Sequence, residues 1–188
     1  MSKRQFAIIG IGGVTNGGKT TLSARLKQQL PNVHILNMDC YYWPDDSPHH
    51  IMLPQFNYAN WEVPSSVDFV RLLADTEKWV ETVRKQPPGG RHILLIEGIL
   101  IYNFRPLLQY FNKKYAFTLS LQECRTRRRQ RRYVPPDPDG YFDAIVWPHY
   151  LENSMQIEQQ NDIVYLDGSV DVDVTFQQVF TDIKLLFK

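Results

Sequence analysis

The chain has 188 residues, 43% hydrophobic and 22% charged, with a formal net charge of +1; that length buries a sizeable core in one domain, and so balanced a charge gives no reason to expect nucleic acid or a membrane surface as a bulk partner. Its two cysteines, Cys40 and Cys124, make no disulfide framework. No run approaches the ~18 apolar residues of a membrane span, and Met1-Ser-Lys-Arg-Gln5 lacks the apolar core of a signal peptide, so a soluble cytosolic protein is expected, with nuclear entry left open.

The first strand is predicted over about 6–11. It ends in Gly13-x-x-x-x-Gly18-Lys19-Thr20, and a helix-compatible stretch runs on to about Leu30, with Leu22, Leu26 and Leu30 spaced as a buried face. Strand, glycine-rich loop and helix in that order are the context that gives the pattern meaning as a phosphate-binding loop. Glycines let successive amides converge on one point, and the helix N-terminus adds a favourable dipole for an anion. The Lys19 ammonium can reach the β- and γ-phosphates, and the Thr20 hydroxyl can ligate Mg²⁺. Thr21 reads either as a further phosphate contact or as an ordinary first-turn residue.

Val33-His-Ile-Leu-Asn37 is predicted as a second strand, with Asp39 just past its carboxyl end. Ligands of open α/β sheets bind there, so Asp39 reads as a catalytic carboxylate or a turn residue. The stretch from Asp45 to Ser66 reads as a long irregular loop, and Phe56, Tyr58 and Trp61 argue that it is ordered. Ser65 or Ser66 is expected to cap a helix to about Lys85, with Val67, Val70, Leu73, Ala74, Val80 and Val83 on its core side. Pro87-Pro-Gly-Gly90 is a surface connection. Ile93-Leu-Leu-Ile96 has the continuous apolar character of a central parallel strand, and Glu97 at its tip is placed to hold Mg²⁺ through water.

A further strand is expected over Tyr115–Leu121. Six arginines then fall within residues 125–132. They suit a nuclear-localisation or nucleic-acid patch, a solvated helix face, or a lid whose guanidiniums pair with phosphate oxygens; the phosphate loop favours the lid, drawn over about 124–140. A proline-rich loop follows, then a helix from Phe142 to about Gln160 with Ile145, Tyr150, Leu151 and Met155 apolar. Asp162–Gly168 supplies the last strand and turn. A final helix carries Val172, Phe176, Val179, Phe180, Ile183, Leu186 and Phe187 on one side. Five strands alternating with helices predict an α/β, doubly wound parallel sheet in a single domain over 1–188.

These pieces together carry a resemblance. Gly10-Ile-Gly-Gly-Val-Thr-Asn-Gly-Gly-Lys-Thr-Thr21, Asp39 with its trailing aromatics, Ile96-Glu-Gly-Ile-Leu-Ile-Tyr-Asn103, Pro135-Pro-Asp-Pro-Asp-Gly-Tyr-Phe-Asp143 and Val146-Trp-Pro-His-Tyr150 resemble the nicotinamide riboside kinases of the uridine-kinase-like P-loop group. The resemblance implies ATP and Mg²⁺ as cofactors and phosphorylation of nicotinamide riboside, with nicotinic acid riboside as a companion substrate, in the service of NAD synthesis. It implies phosphate contacts from Gly13, Val14, Thr15, Asn16, Gly17, Gly18, Lys19, Thr20 and Thr21, and a metal held by Thr20 near Asp39. Asp39 would accept the 5′-hydroxyl proton; Tyr42, Trp61, Glu62, Arg128, Tyr133 and Val134 would contact the nucleoside. Arg127 and Arg131 would be lid arginines on ATP, and Val170, Asp171 and Val172 would lie near adenine. The pyridinium of that nucleoside is a cation, which an aromatic such as Trp61 or Tyr133 can stack upon and Glu62 can attract. A uridine/cytidine kinase and a non-catalytic nucleotide-binding scaffold are the competing readings.

Overall fold

A computed structural model describes residues 5–87, 89–134 and 136–188. Met1 to Arg4, Pro88 of the predicted 87–90 connection and Pro135 of the proline-rich block lie outside the described residues. The five predicted strands form one parallel sheet: β1 (Phe6–Gly13), β2 (Val33–Asn37) and, after a two-residue pair β3 (Met52–Leu53) and β4 (Tyr58–Ala59), β5 (His92–Glu97), β6 (Lys113–Thr118) and β7 (Ile163–Asp167). Their spatial order is β2-β5-β1-β6-β7. From β1 the chain goes to the edge strand β2, returns inward to β5 beside β1, and then crosses to β6 and β7 on the other side, which makes the carboxyl end of β1 the switch point where such sheets bind ligands. Register fixes the same edge for three functional positions: Glu97 pairs with both Ile11 and Asn37, so the phosphate loop, Glu97 and Asp39 emerge side by side.

Alternation along β1 divides the core. Ala7, Ile9 and Ile11 pack with Leu22 and Leu26 of α1 (Lys19–Gln29) and with Phe176, Val179 and Ile183 of α6 (Val172–Leu185). On the opposite face Ile8, Leu94 and Ile96 pack with Leu72 and Val80 of α2 (Phe69–Arg84). Each fully buried aliphatic side chain contributes about 1.5–3 kcal/mol. Gly10 leaves room for the Tyr102 ring, since a Cβ there would come within 2.7 Å of it. The Tyr102 hydroxyl in turn donates to the Tyr115 carbonyl and accepts from the Tyr115 amide, at 2.8 and 3.0 Å.

Several expectations are corrected. The 45–66 stretch is not wholly irregular, because β3 and β4 close a short antiparallel hairpin through Asn57, whose φ is 45°. The cap of α2 is Asp68, which accepts from the Arg71 amide at 2.9 Å. Ser66 is unavailable for capping: its hydroxyl is bonded to the Asn60 carbonyl and its own carbonyl accepts from the Trp43 amide. The buried side of α2 is Phe69, Leu72, Thr76, Val80 and Val83, so the expected Val80 and Val83 face the core while Val70 and Ala74 are exposed. After the one-turn α3 (Arg105–Leu108), strand β6 stops at Thr118, since Ser120 caps α4 (Leu121–Gln130) and accepts from the Glu123 amide. The predicted 142–160 helix is a π turn at Phe142–Val146 leading into α5 (Trp147–Ile157). Its inward side is Ile145, Val146 and Ile157, leaving Leu151 and Met155 exposed. Val172 is likewise exposed, while the rest of the predicted C-terminal stripe packs on the sheet. Among the described residues no helix is long and apolar enough to cross a membrane.

Candidate active site

The loop after β1 is shaped by its backbone. Gly13 and Gly18 have φ of 99° and 111°, and Asn16 sits at 57°, all in the left-handed region that favours Gly and Asn. The first bond within α1 runs from the Leu22 amide to the Gly18 carbonyl. The amides of Gly18, Lys19, Thr20 and Thr21 therefore precede the helical ladder, and the Gly18 N-cap offers no side chain to occupy them. A positive dipole end with free donors is a ready anion site.

Above the loop lies a cleft of about 610 Å³. It is lined by the loop and α1 residues Thr15, Asn16, Gly17, Gly18, Lys19, Thr20 and Thr21, by Asp39, by Tyr42, Trp61 and Glu62, and by Arg127, Arg128, Arg131, Tyr133 and Val134. Most of the residues singled out from sequence thus share one wall-to-wall space. Four groups sit elsewhere. Gly13 and Val14 are buried beneath the loop. Glu97 is 3% exposed, below the cleft floor, and accepts from the Ser23 hydroxyl at 3.2 Å. Val170 and Val172 line a neighbouring hollow that shares Gly17, Gly18, Thr21 and Arg127 with the cleft side. Asp171 is the N-cap of α6, accepting from the Asp173 amide at 2.7 Å.

Charge is concentrated on the cleft floor. Lys19 donates to the carbonyls of Gly13 and Val14 at 3.2 and 2.7 Å. Burial lowers its pKa to about 8, against the opposing pull of Asp39 and then Glu97. Burial likewise raises the Glu97 carboxyl above its ordinary value. Asp39 sits in a short 3-10 turn, Met38–Tyr41, whose cap Asn37 accepts the Asp39 amide at 2.8 Å; the side chain itself stays exposed toward the cleft. Among the described residues no three His, Cys, Asp or Glu side chains gather as a self-sufficient metal cage. A hydroxyl at Thr20 with the carboxylates of Asp39 and Glu97 is a hard oxygen set that suits Mg²⁺, which is ordinarily completed by phosphate oxygens and water.

The opposite wall is aromatic. Tyr42 meets Trp61 edge to face with centroids 5.4 Å apart, and His50 packs on Trp61 at 4.4 Å. The 60–62 backbone that carries Trp61 and Glu62 is held from several sides. The Trp61 amide donates to the Tyr141 hydroxyl at 3.1 Å, and the Tyr42 hydroxyl donates to the Trp61 carbonyl at 3.1 Å. The Glu62 amide donates to Asn60 Oδ1 at 3.1 Å, and Asn153 Nδ2 donates to the Glu62 carbonyl at 3.2 Å. Asn60 Nδ2 is 3.0 Å from His149 Nε2, and His149 Nδ1 is 3.0 Å from Glu152; a neutral imidazole accepting from Asn60 and donating to Glu152 satisfies both contacts. Glu62 is 6% exposed, and burial raises its pKa to about 7 despite the nearby Arg128.

The arginine run divides by helix face. Arg128 is buried and Arg127 half-buried, both against the cleft, while Arg131 lines its rim. Arg127 is ion-paired to Glu123 and also donates to the Asn16 carbonyl. Arg125 turns away to Asp143 at 2.6 Å, and Arg129 and Arg132 are exposed. Val134 borders the cleft yet is 97% exposed, so its side chain packs on little there. Trp43, Asp45, Tyr58, Ile99 and Asp137 also line the cleft without having been singled out. For Asp137 the signal was present in the 135–143 block, for Trp43 among the aromatics after Asp39 and for Ile99 in the 96–103 stretch; for Asp45 and Tyr58 it lay in how the 45–60 segment folds back.

Comparison with known proteins decides the family. The chain is 38% identical to nicotinamide riboside kinase 2 of Mus musculus, across 94% of this chain and 95% of that protein. It is 34% identical to nicotinamide riboside kinase 1 of Homo sapiens, across 94% and 91%. The chain belongs to the nicotinamide riboside kinase family. No protein-family model matches it. Among solved structures a sugar kinase from Janibacter sp. superposes with a TM-score of 0.60 at 16% identity, covering 97% of this chain and 99% of that one, which supports the P-loop kinase fold alone. As a nicotinamide riboside kinase family member, the chain is an ATP-dependent phosphotransferase.

Proposed function

We infer that the chain transfers the γ-phosphate of ATP to the 5′-hydroxyl of nicotinamide riboside, giving nicotinamide mononucleotide. What carries this reading is the single cleft in which the phosphate loop and Asp39 face Trp61, Glu62 and Tyr133. Phosphoryl transfer asks for alignment and charge neutralisation rather than covalent help. In this reading the amides at the start of α1 and the Lys19 ammonium bind the phosphates. Lys19 leaves the Gly13 and Val14 carbonyls to do so, and an adjacent phosphate keeps it protonated. Thr20, with Asp39 and Glu97, would hold Mg²⁺, which neutralises charge on the transferring group when bound. Asp39 takes the 5′-hydroxyl proton as the alcohol attacks. Trp61 and Tyr133 flank the pyridinium, and buried Glu62 supplies the countercharge. Arg127 and Arg131 close from the lid over the phosphates, and Val170 to Val172 border the adenine. Nicotinic acid riboside, zwitterionic and of the same shape, is a second substrate.

Turnover measured side by side with nicotinamide riboside and uridine tests this. A kcat/KM at least tenfold higher for nicotinamide riboside is expected. A preference for uridine overturns the substrate assignment, and ATP binding without phosphorylation of any nucleoside overturns the enzymatic one.

A further inference from the structure

The loop between α4 and the π turn carries two acids, Asp137 and Asp139, that the mechanism above does not use. Asp139 is exposed, whereas Asp137 is half-buried and lines the cleft. Its Oδ2 accepts from Arg128 Nε at 2.6 Å. The rest of that guanidinium is also engaged. Nη1 donates to the Thr15 hydroxyl at 3.2 Å, Nη2 lies 3.9 Å from Glu62 Oε1, and the plane covers the Tyr133 ring at 4.5 Å.

A guanidinium is a rigid planar fork. Holding Nε fixes its rotation in the plane, and so fixes where Nη1 and Nη2 point. Burial opposes the charge on Arg128, but the Asp137 hydrogen bond and then Glu62 outweigh it and keep the group firmly cationic. Arg128 is 8% exposed, so this pair is not one of the solvated surface pairs that contribute little.

We propose that Asp137 is a positioning residue for the nucleoside half of the site: by gripping Arg128 Nε it aims the other edge of the guanidinium at Glu62 and at the bound nucleoside. This rests on the reading of the cleft as a nucleoside site. The alternative is a plain latch that closes the 133–142 loop onto α4 with no bearing on substrate.

Steady-state kinetics of the full chain with ATP and Mg²⁺ separate the two. Asp137→Ala is expected to raise the KM for nicotinamide riboside ~10- to 100-fold, the range for losing a hydrogen bond between charged groups. Its kcat and its KM for ATP stay within about threefold. Asp137→Glu, whose longer arm keeps the charge, recovers most of the lost affinity. The proposal is overturned if the nucleoside KM does not move. It is equally overturned if ATP and nucleoside parameters worsen together in step with a lowered melting temperature, the mark of a latch; Asp137→Asn, which keeps shape and an acceptor, repeats the comparison should the alanine variant fold poorly. A wild type that prefers uridine refutes the substrate reading separately, and the same KM comparison is then read with uridine.

Discussion

Glu62 offers the most quantitative check on the site. Its carboxyl is buried beside Arg128 and titrates near pH 7, raised chiefly by burial. The pyridinium of nicotinamide riboside is a permanent cation, so under the proposed placement of the nucleoside it should bind the ionised form of Glu62 preferentially. At pH 5, two units below that value, only about one molecule in a hundred carries the carboxylate, so kcat/KM for nicotinamide riboside should fall ~100-fold between pH 8 and pH 5. The attraction forgone is of similar size: at ~5 Å and an effective dielectric of ~20, two unit charges interact by about 3 kcal/mol. Glu62→Gln should therefore raise the nicotinamide riboside KM by ~100-fold at pH 8 and flatten the acid limb of the profile. Lys19, lowered by burial to about 8 in the free enzyme, sets the alkaline limb, which moves to higher pH once phosphates hold its proton. The measurement is kcat/KM from pH 5 to 9 for both proteins. A wild-type profile flat between 5 and 8, or an acid limb that persists in Glu62→Gln, refutes the argument.

The same carboxyl makes a stability argument with a definite sign. Its folded pKa lies above the unfolded 4.5, so its contribution is complete below that value and is lost as pH rises through about 7. The loss amounts to up to about 3 kcal/mol for a shift of ~2.5 units. Glu62→Gln should thus melt higher than the parent at pH 8 and at nearly the same temperature at pH 5. A functional acid whose removal stabilises the empty protein is the expected signature of strain kept for binding.

Three further outcomes follow from named contacts. Asp39→Asn should lower kcat by at least ~100-fold while leaving the KM for ATP within a few-fold, as read by steady-state kinetics; near-normal turnover would remove Asp39 from the proton-acceptor role. Gly13→Ala should melt at least ~4 °C lower and lose activity, because its φ is 99° and a Cβ would collide with the Phe117 backbone; an unchanged melting curve would contradict that geometry. Asn60→Ala strips the Glu62 amide of its acceptor and leaves His149 Nε2 without its partner, so the nicotinamide riboside KM should rise ~10-fold with little change in the KM for ATP.

How much of this was legible in the chain itself depends on distance along it. The phosphate loop announced itself because everything it needs is local: Gly13 and Gly18 for backbone freedom, then Lys19 and Thr20 on the first turn of α1. The inner strands were equally plain, since buried parallel strands must be apolar on both faces, and Ile93 to Ile96 could hardly be anything else. The boundaries failed where a residue had a prior engagement that local reasoning cannot see. Ser66 looked like a cap, but its hydroxyl already serves Asn60, and Asp68 takes the helix start instead. The helix predicted from Phe142 begins instead as a π turn that shifts the register before α5, and of the apolar residues noted there Leu151 and Met155 stay exposed.

The substrate wall was the least legible part, and for a physical reason. Trp61 and Glu62 stand on a segment with almost no regular structure of its own, so their positions are set by side chains that arrive from far along the chain. Tyr141 bonds the Trp61 amide from 80 residues away, Asn153 bonds the Glu62 carbonyl from 91, and His149 braces Asn60 from 89. Tyr141 and His149 of the 135–150 block are thus part of the scaffold of the 60–62 segment, and Asn153 joins them from just beyond it. Tyr141 and Asn153 do for this loop what a β-ladder does for a strand, supplying partners to otherwise unpaired backbone, while His149 braces the Asn60 side chain. The placement of Trp61 and Glu62 therefore depends on the π turn and α5 as much as on their own segment.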